Sequence, residues 1–164
     1  MKKPLIALLL LAMAGLAGYV LWFGNNPAPN VRFTPLAGSS RQLADLKGKM
    51  VLVNFWATSC PGCVEEMPQI KRMYQQYAAS GFEVLAVDMS YDEPDYAKTF
   101  VEKNQLPFMV ALDSQGAIAH AFGDIQLTPT SFLIDRQGRI IKRYVGEMNF
   151  NEVGQLLEAN QGKA

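Results

Sequence analysis

Apolar residues along this chain fall into runs of three kinds. From Leu5 to Phe23, nineteen residues pass without a charge. As a helix they would span about 28 Å, close to one hydrocarbon thickness. Met50-Val51-Leu52-Val53-Asn54-Phe55-Trp56 is apolar apart from Asn54, which is how a strand buried on both faces reads. Beyond it, Val64, Met67, Ile70, Met73, Tyr74 and Tyr77 recur at helical spacing.

The remaining pattern completes a domain. Val31 to Pro35 and Ser40 to Gln42 read as a short hairpin, followed by one helical turn at Leu43–Leu46. Helix is expected from the 57–63 turn to Ala79, with a kink at Pro68. Phe82 to Met89 is a second strand. Glu93 to Asn104 is a helix announced by Asp92-Glu93-Pro94. Phe108 to Leu112 is a third strand, and Ala117 to Phe122 a short helix. Thr130–Asp135 and Gly138–Gly146 pair as a hairpin, and Asn149 to Asn160 closes the chain as a helix. Helix and strand alternate before a final hairpin, so the fold class is α/β with a mixed sheet.

The N-terminus bears on compartment. Lys2 and Lys3 precede the long apolar run, so the positive-inside rule leaves the rest of the chain outside the cytoplasm. Residues 1–23 are read as a transmembrane anchor or signal sequence. The rival to the anchor is a signal peptide cut after Ala12-Met13-Ala14. Residues 24–30, with two prolines and three asparagines, read as a linker, and 31–164 as the domain. Either version places the domain in the periplasm or an equivalent extracytoplasmic space, at the inner membrane if the anchor is kept.

Charge and composition narrow the function. The chain carries 15 basic and 15 acidic residues; without Lys2 and Lys3 the basic count is 13. No basic surplus exists to grip a nucleic acid. There are two cysteines and one histidine, His120, which is remote from them in sequence and is read as a surface residue. That set is too small for a structural zinc site, so no metal or cofactor is expected. The loop between Cys60 and Cys63 is too short to stabilise a fold by closing it.

Cys60-Pro61-Gly62-Cys63 sits where the apolar strand gives way to the helix. Unpaired N–H groups and the helix dipole at that junction favour a thiolate. Cys60 should be the exposed, attacking thiol. Cys63, one turn inside and within disulfide reach, should resolve the mixed disulfide.

Three segments together resemble the TlpA/ResA branch of the thioredoxin family: Val53 to Cys63, Glu65-Glu66-Met67-Pro68, and Thr128 to Asp135. The resemblance covers about residues 31–160. It implies a thioredoxin fold with an N-terminal β-hairpin and a central αβ insertion, preceded by a transmembrane helix. It also implies that Pro129 is a cis-proline facing the cysteines, that Thr128 presents its backbone to a substrate, that Glu66 tunes the thiols, and that Trp56 packs beside the site, with Pro61 and Gly62 at its surface. Asn54 stands where thioredoxin has a buried aspartate, which shifts proton handling toward Glu66. Thr130 stands where dedicated cytochrome c maturation members carry a glutamate, which weakens an apocytochrome-specific role.

The expected activity is therefore that of a monomeric thiol:disulfide oxidoreductase. Its partners would be proteins with cysteine pairs, such as apocytochromes c, copper-handling proteins or repair enzymes. Its electrons would come from a transmembrane donor of the DsbD/CcdA kind. A disulfide-forming oxidant and a Cu(I) metallochaperone are the alternatives.

Overall fold

The computed structural model describes residues 26–160. The expected anchor or signal segment lies outside them. Among the described residues, no helix is long and apolar enough to cross a membrane.

A two-stranded ribbon, β1 (Arg32–Phe33) and β2 (Arg41–Gln42), leads into a 3-10 turn at Leu43–Leu46. Then follow β3 (Met50–Trp56), α1 (Pro61–Tyr77), β4 (Phe82–Asp88), α2 (Pro94–Asn104), β5 (Met109–Leu112), α3 (Ala117–Ala121), β6 (Thr130–Ile134), β7 (Ile140–Val145) and α4 (Phe150–Ala159). The main sheet has the order β5-β4-β3-β6-β7. Strands β3, β4 and β5 run parallel, whereas β6 and β7 are antiparallel to their neighbours. The expected mixed α/β sheet is present.

Every residue of β3 is buried, because layers cover both faces of the sheet centre. Its side chains alternate between them. Met50, Leu52 and Trp56 face a core with Met67, Ile70 and Met73 of α1, Ala97 of α2 and Val153 and Leu157 of α4. Val51, Val53 and Phe55 face a second core closed by Ile118 of α3, Phe122 and the N-terminal residues Phe33, Leu43 and Leu46. Phe55 meets the rings of Phe122 and Phe132 edge-on, with centroids 5.3 and 6.1 Å away.

Helix α1 stays helical through Pro68, whose ring lies on the exposed side. The bond that Pro68 cannot donate leaves only the Val64 carbonyl without its helical partner. Part of the segment read as a linker is bonded to the domain: Ala28 N–H donates to Gly138 C=O at 2.9 Å, and Ile140 N–H to Asn26 C=O at 2.8 Å. Ala28, between two prolines, keeps the N–H needed to extend the sheet beside the start of β7.

Helix α4 begins with a side-chain cap, Asn149 Oδ1 accepting Glu152 N–H at 3.1 Å. Asn149→Ala should cost about 1 kcal/mol, read as a lower urea midpoint at unchanged slope.

Candidate active site

The site forms where β3 ends and β6 begins. Antiparallel register pairs Phe55 with Thr130, so the loop leaving β3 lies beside the loop entering β6. The first carries Cys60 to Cys63, the second Thr128 and Pro129. A Cβ placed on Gly62 would lie 3.9 Å from Pro129 Cδ. The two loops therefore lie side by side, close enough that a side chain at Gly62 would contact Pro129. The Thr128–Pro129 peptide is cis.

Cys60 is the residue preceding α1, in extended conformation, with Pro61 at the first helical position. Pro61 has no N–H to satisfy and a φ already suited to a helix. Cys60 is half-buried, whereas Cys63 is 1% exposed. Their sulfurs are joined in a disulfide, Cα to Cα 5.3 Å. Cys60 Sγ accepts the Cys63 N–H at 3.2 Å. That donor and the helix dipole would stabilise a thiolate on Cys60 once the disulfide is reduced.

Glu66 follows Cys63 by three residues on α1, the spacing that puts two side chains on one helix face. It is 2% exposed. Oε1 accepts the Met148 N–H at 2.9 Å, and Oε2 has no partner. Burial pushes its pKa up to about 7; the Met148 N–H opposes that shift and the nearby Glu147 adds to it. A carboxyl so poised can take or give a proton near neutral pH.

Trp56 is fully buried and stacks at a tilt on Phe100, centroids 5.2 Å apart. It shares the apolar cluster that contains Cys63 and against which Cys60 packs. Asn54 Nδ2 donates to Ser131 Oγ at 2.9 Å across the β3–β6 ladder. An amide holds this buried position, and it does not titrate. His120 lies on the exposed end of α3, its Nε2 3.7 Å from Asp124.

The matching family model is Redoxin, over residues 24–157. The chain belongs to the redoxin family. Within it, the chain is similar to the thiol-disulfide oxidoreductase ResA of Bacillus cereus, 38% identical over 162 residues and 92% of each protein. The ResA of Geobacillus thermodenitrificans is 34% identical, covering 96% of this chain and 93% of that one. Among solved structures, the thioredoxin-family thiol:disulfide interchange protein of Chlorobium tepidum superposes with a TM-score of 0.75 at 26% identity, over 84% of this chain and 97% of that one. With the Cys60–Cys63 pair in a thioredoxin-like fold, this redoxin is a thiol-disulfide oxidoreductase.

Of the expected site residues, Cys60, Pro61, Gly62, Cys63, Thr128 and Pro129 lie at this junction, with Glu66 one turn along α1 and Trp56 at the end of β3. Others were not legible in the sequence. Glu147 reaches the site from the loop after β7, its Oε1 3.4 Å from where a Gly62 Cβ would stand. Asp88, at the end of β4, is 2% exposed with Oδ1 unpartnered. Burial, reinforced by the neighbouring Asp92 carboxyl, pushes its pKa up to about 8. Asp92 is legible in sequence only as a helix-start signal. It also bonds Thr58, two residues before Cys60.

Proposed function

We propose that this redoxin is an extracytoplasmic disulfide reductase, held at the membrane by its N-terminal segment. Its substrates are oxidised cysteine pairs in exported proteins such as apocytochromes c, copper-handling proteins or repair enzymes. A transmembrane donor of the DsbD/CcdA kind restores its dithiol. The observation that carries this reading is Glu66, a buried carboxyl with a pKa near 7, one helical turn from Cys63. A strong oxidant needs a very stable thiolate. An acid held beside the pair works against that and supplies a proton acceptor for the resolving step.

In the reductive cycle, the Cys60 thiolate attacks one sulfur of the substrate disulfide. A mixed disulfide forms, and the departing substrate thiolate takes a proton from solvent. Cys63 then passes its proton to Glu66 and attacks the Cys60 sulfur. The second substrate thiolate leaves, and Cys60–Cys63 closes as the disulfide seen in the structure. Two electrons pass from the dithiol to the substrate. Thr128 and Pro129 present backbone to the substrate strand, Pro61 and Gly62 leave the approach to Cys60 open, and Trp56 forms the floor.

The test is substrate trapping. Cys63→Ser should hold partners as mixed disulfides on Cys60, released by dithiothreitol and resolved on a non-reducing gel. Equal trapping by Cys60→Ser would overturn the roles. A reduction potential above about −150 mV would overturn the reductive direction. Stoichiometric Cu(I) uptake without disulfide reduction would replace the reading with a metallochaperone.

A further inference from the structure

We propose that the loop joining β4 to α2, residues 89–93, is the positioning element of the site, with Asp92 holding the Cys60 loop and Tyr91 holding the cis-proline loop. The inference rests on the reductase reading and adds residues that the cysteine and cis-proline motifs do not contain.

One arm of the brace is Asp92. It is 9% exposed, and its Oδ2 accepts the Thr58 N–H. Its Oδ1 accepts the Thr58 hydroxyl at 2.7 Å and the Glu93 N–H at 3.1 Å. Thr58 belongs to the turn that Cys60 N–H closes on Ala57 C=O at 3.2 Å. The loop is itself pinned: Met89 N–H donates to Trp56 C=O, and Asp92 N–H to Met89 C=O, both at 3.0 Å. Beneath it, burial pushes the pKa of the Asp88 carboxyl up to about 8.

The other arm is Tyr91. The residue is 59% exposed, so packing does little to fix its position. Its hydroxyl shares a hydrogen bond with Thr128 Oγ1 at 2.9 Å, in which either oxygen can donate. Thr128 is the residue before the cis bond. Its own N–H and C=O make no hydrogen bond among the described residues, which leaves them free for an incoming strand. Consecutive residues of one short loop thus grip both halves of the site. The gap between Cys60 and the Thr128 backbone is set by these contacts as well as by the β3–β6 ladder.

The two arms should fail differently. A protein substrate uses both the sulfur and the backbone of Thr128, whereas a small disulfide uses only the sulfur. In the full-length protein in detergent, Tyr91→Phe should raise KM for insulin about 5- to 10-fold, the factor one neutral hydrogen bond is worth. Its kcat for insulin, and its turnover of glutathione disulfide, should stay at the parental level. Thr58→Val should lower kcat on both substrates about 5-fold and raise the Cys60 thiol pKa, and Thr58→Ser should restore both. Parental kinetics in Tyr91→Phe, or an equal loss on both substrates accompanied by a lower melting temperature, would overturn the Tyr91 arm. An unchanged Thr58→Val would overturn the Asp92 arm. If the parental protein reduces neither substrate, the reductase reading itself fails, whatever the variants do.

Discussion

Cys60→Ser should abolish disulfide reduction, lowering kcat/KM on the order of 10³-fold or more. A serine hydroxyl at the same N-terminus would accept the same Cys63 N–H, yet it cannot exchange with a disulfide. The cost is therefore chemical, and the fold should persist: Cys60 is half-buried at the edge of the apolar cluster it packs against, and serine keeps nearly the same shape. Insulin reduction followed by turbidity measures the loss, and circular dichroism checks the fold. Cys63→Ser should fail at turnover but still complete the first half of the reaction, leaving a mixed disulfide. Glu66→Gln separates the proton step from the sulfur step. It should leave trapping by the Cys63→Ser background intact while flattening the pH profile of turnover near 7. A Cys60→Ser variant that keeps more than about 1% of activity would show that another sulfur attacks.

The protein should be more stable at pH 5 than at pH 8, by on the order of 2–4 kcal/mol once residual solvent access is allowed for. Two buried carboxyls cause this. Burial pushes Glu66 up to about 7 and Asp88 up to about 8, from an ordinary carboxylate range near ~4. Below that ordinary range both states are protonated and the contribution is fully present. As pH rises, the unfolded chain loses these protons first, while the folded chain keeps them, so each step favours unfolding. The decline continues until the folded groups themselves titrate, near 7 for Glu66 and near 8 for Asp88. Urea midpoints of the oxidised protein between pH 4.5 and 8.5 measure it without interference from the thiols. Asp88→Asn, which cannot ionise, should remove the larger share of the slope and gain stability at pH 8. Equal midpoints at pH 5 and pH 8 would mean that neither carboxyl stays protonated in the fold.

Much of the architecture is legible before any coordinates, for identifiable reasons. The run Met50 to Trp56, apolar but for Asn54, can be satisfied only at a sheet centre covered on both sides, and β3 occupies that place. Helix α1 is legible because its apolar spacing is local. The Asp135-Arg136-Gln137-Gly138 turn is local too: Asp135 Oδ1 accepts the N–H groups of Gln137 and Arg139 at 3.0 and 2.9 Å, and Gly138 takes a positive φ. Cys60 and Cys63 are legible from spacing alone, because the chemistry and the helix start lie on the same few residues.

What escapes the sequence is whatever depends on contacts distant along the chain. Glu147 and Gly62 meet only because β7 returns beside the site. Tyr91 reads as an ordinary loop tyrosine, and nothing local marks its bond to Thr128. Asp92 carries a recognisable helix-start signature, which hides its second task on Thr58. Asn26 to Asn30 read as a linker because proline and asparagine are poor strand formers, yet the edge of β7 offers Ala28 and Asn26 partners that their composition does not foreshadow.

The antiparallel β3–β6 ladder has a consequence for how activity returns after denaturation. The cysteine loop and the cis-proline loop lie far apart in the sequence, and the pairing of Val51 with Ile134 through Phe55 with Thr130 brings them together before Asp92 and Tyr91 can tie them. Between them lie α1, β4, α2, β5 and α3. Pairings of such long sequence separation close late, after local helices and hairpins have formed. Catalytic competence is therefore a report on a long-range step of folding. A chain with its local structure complete but this ladder still open would carry two reactive thiols with no cis-proline loop beside them to receive a substrate strand.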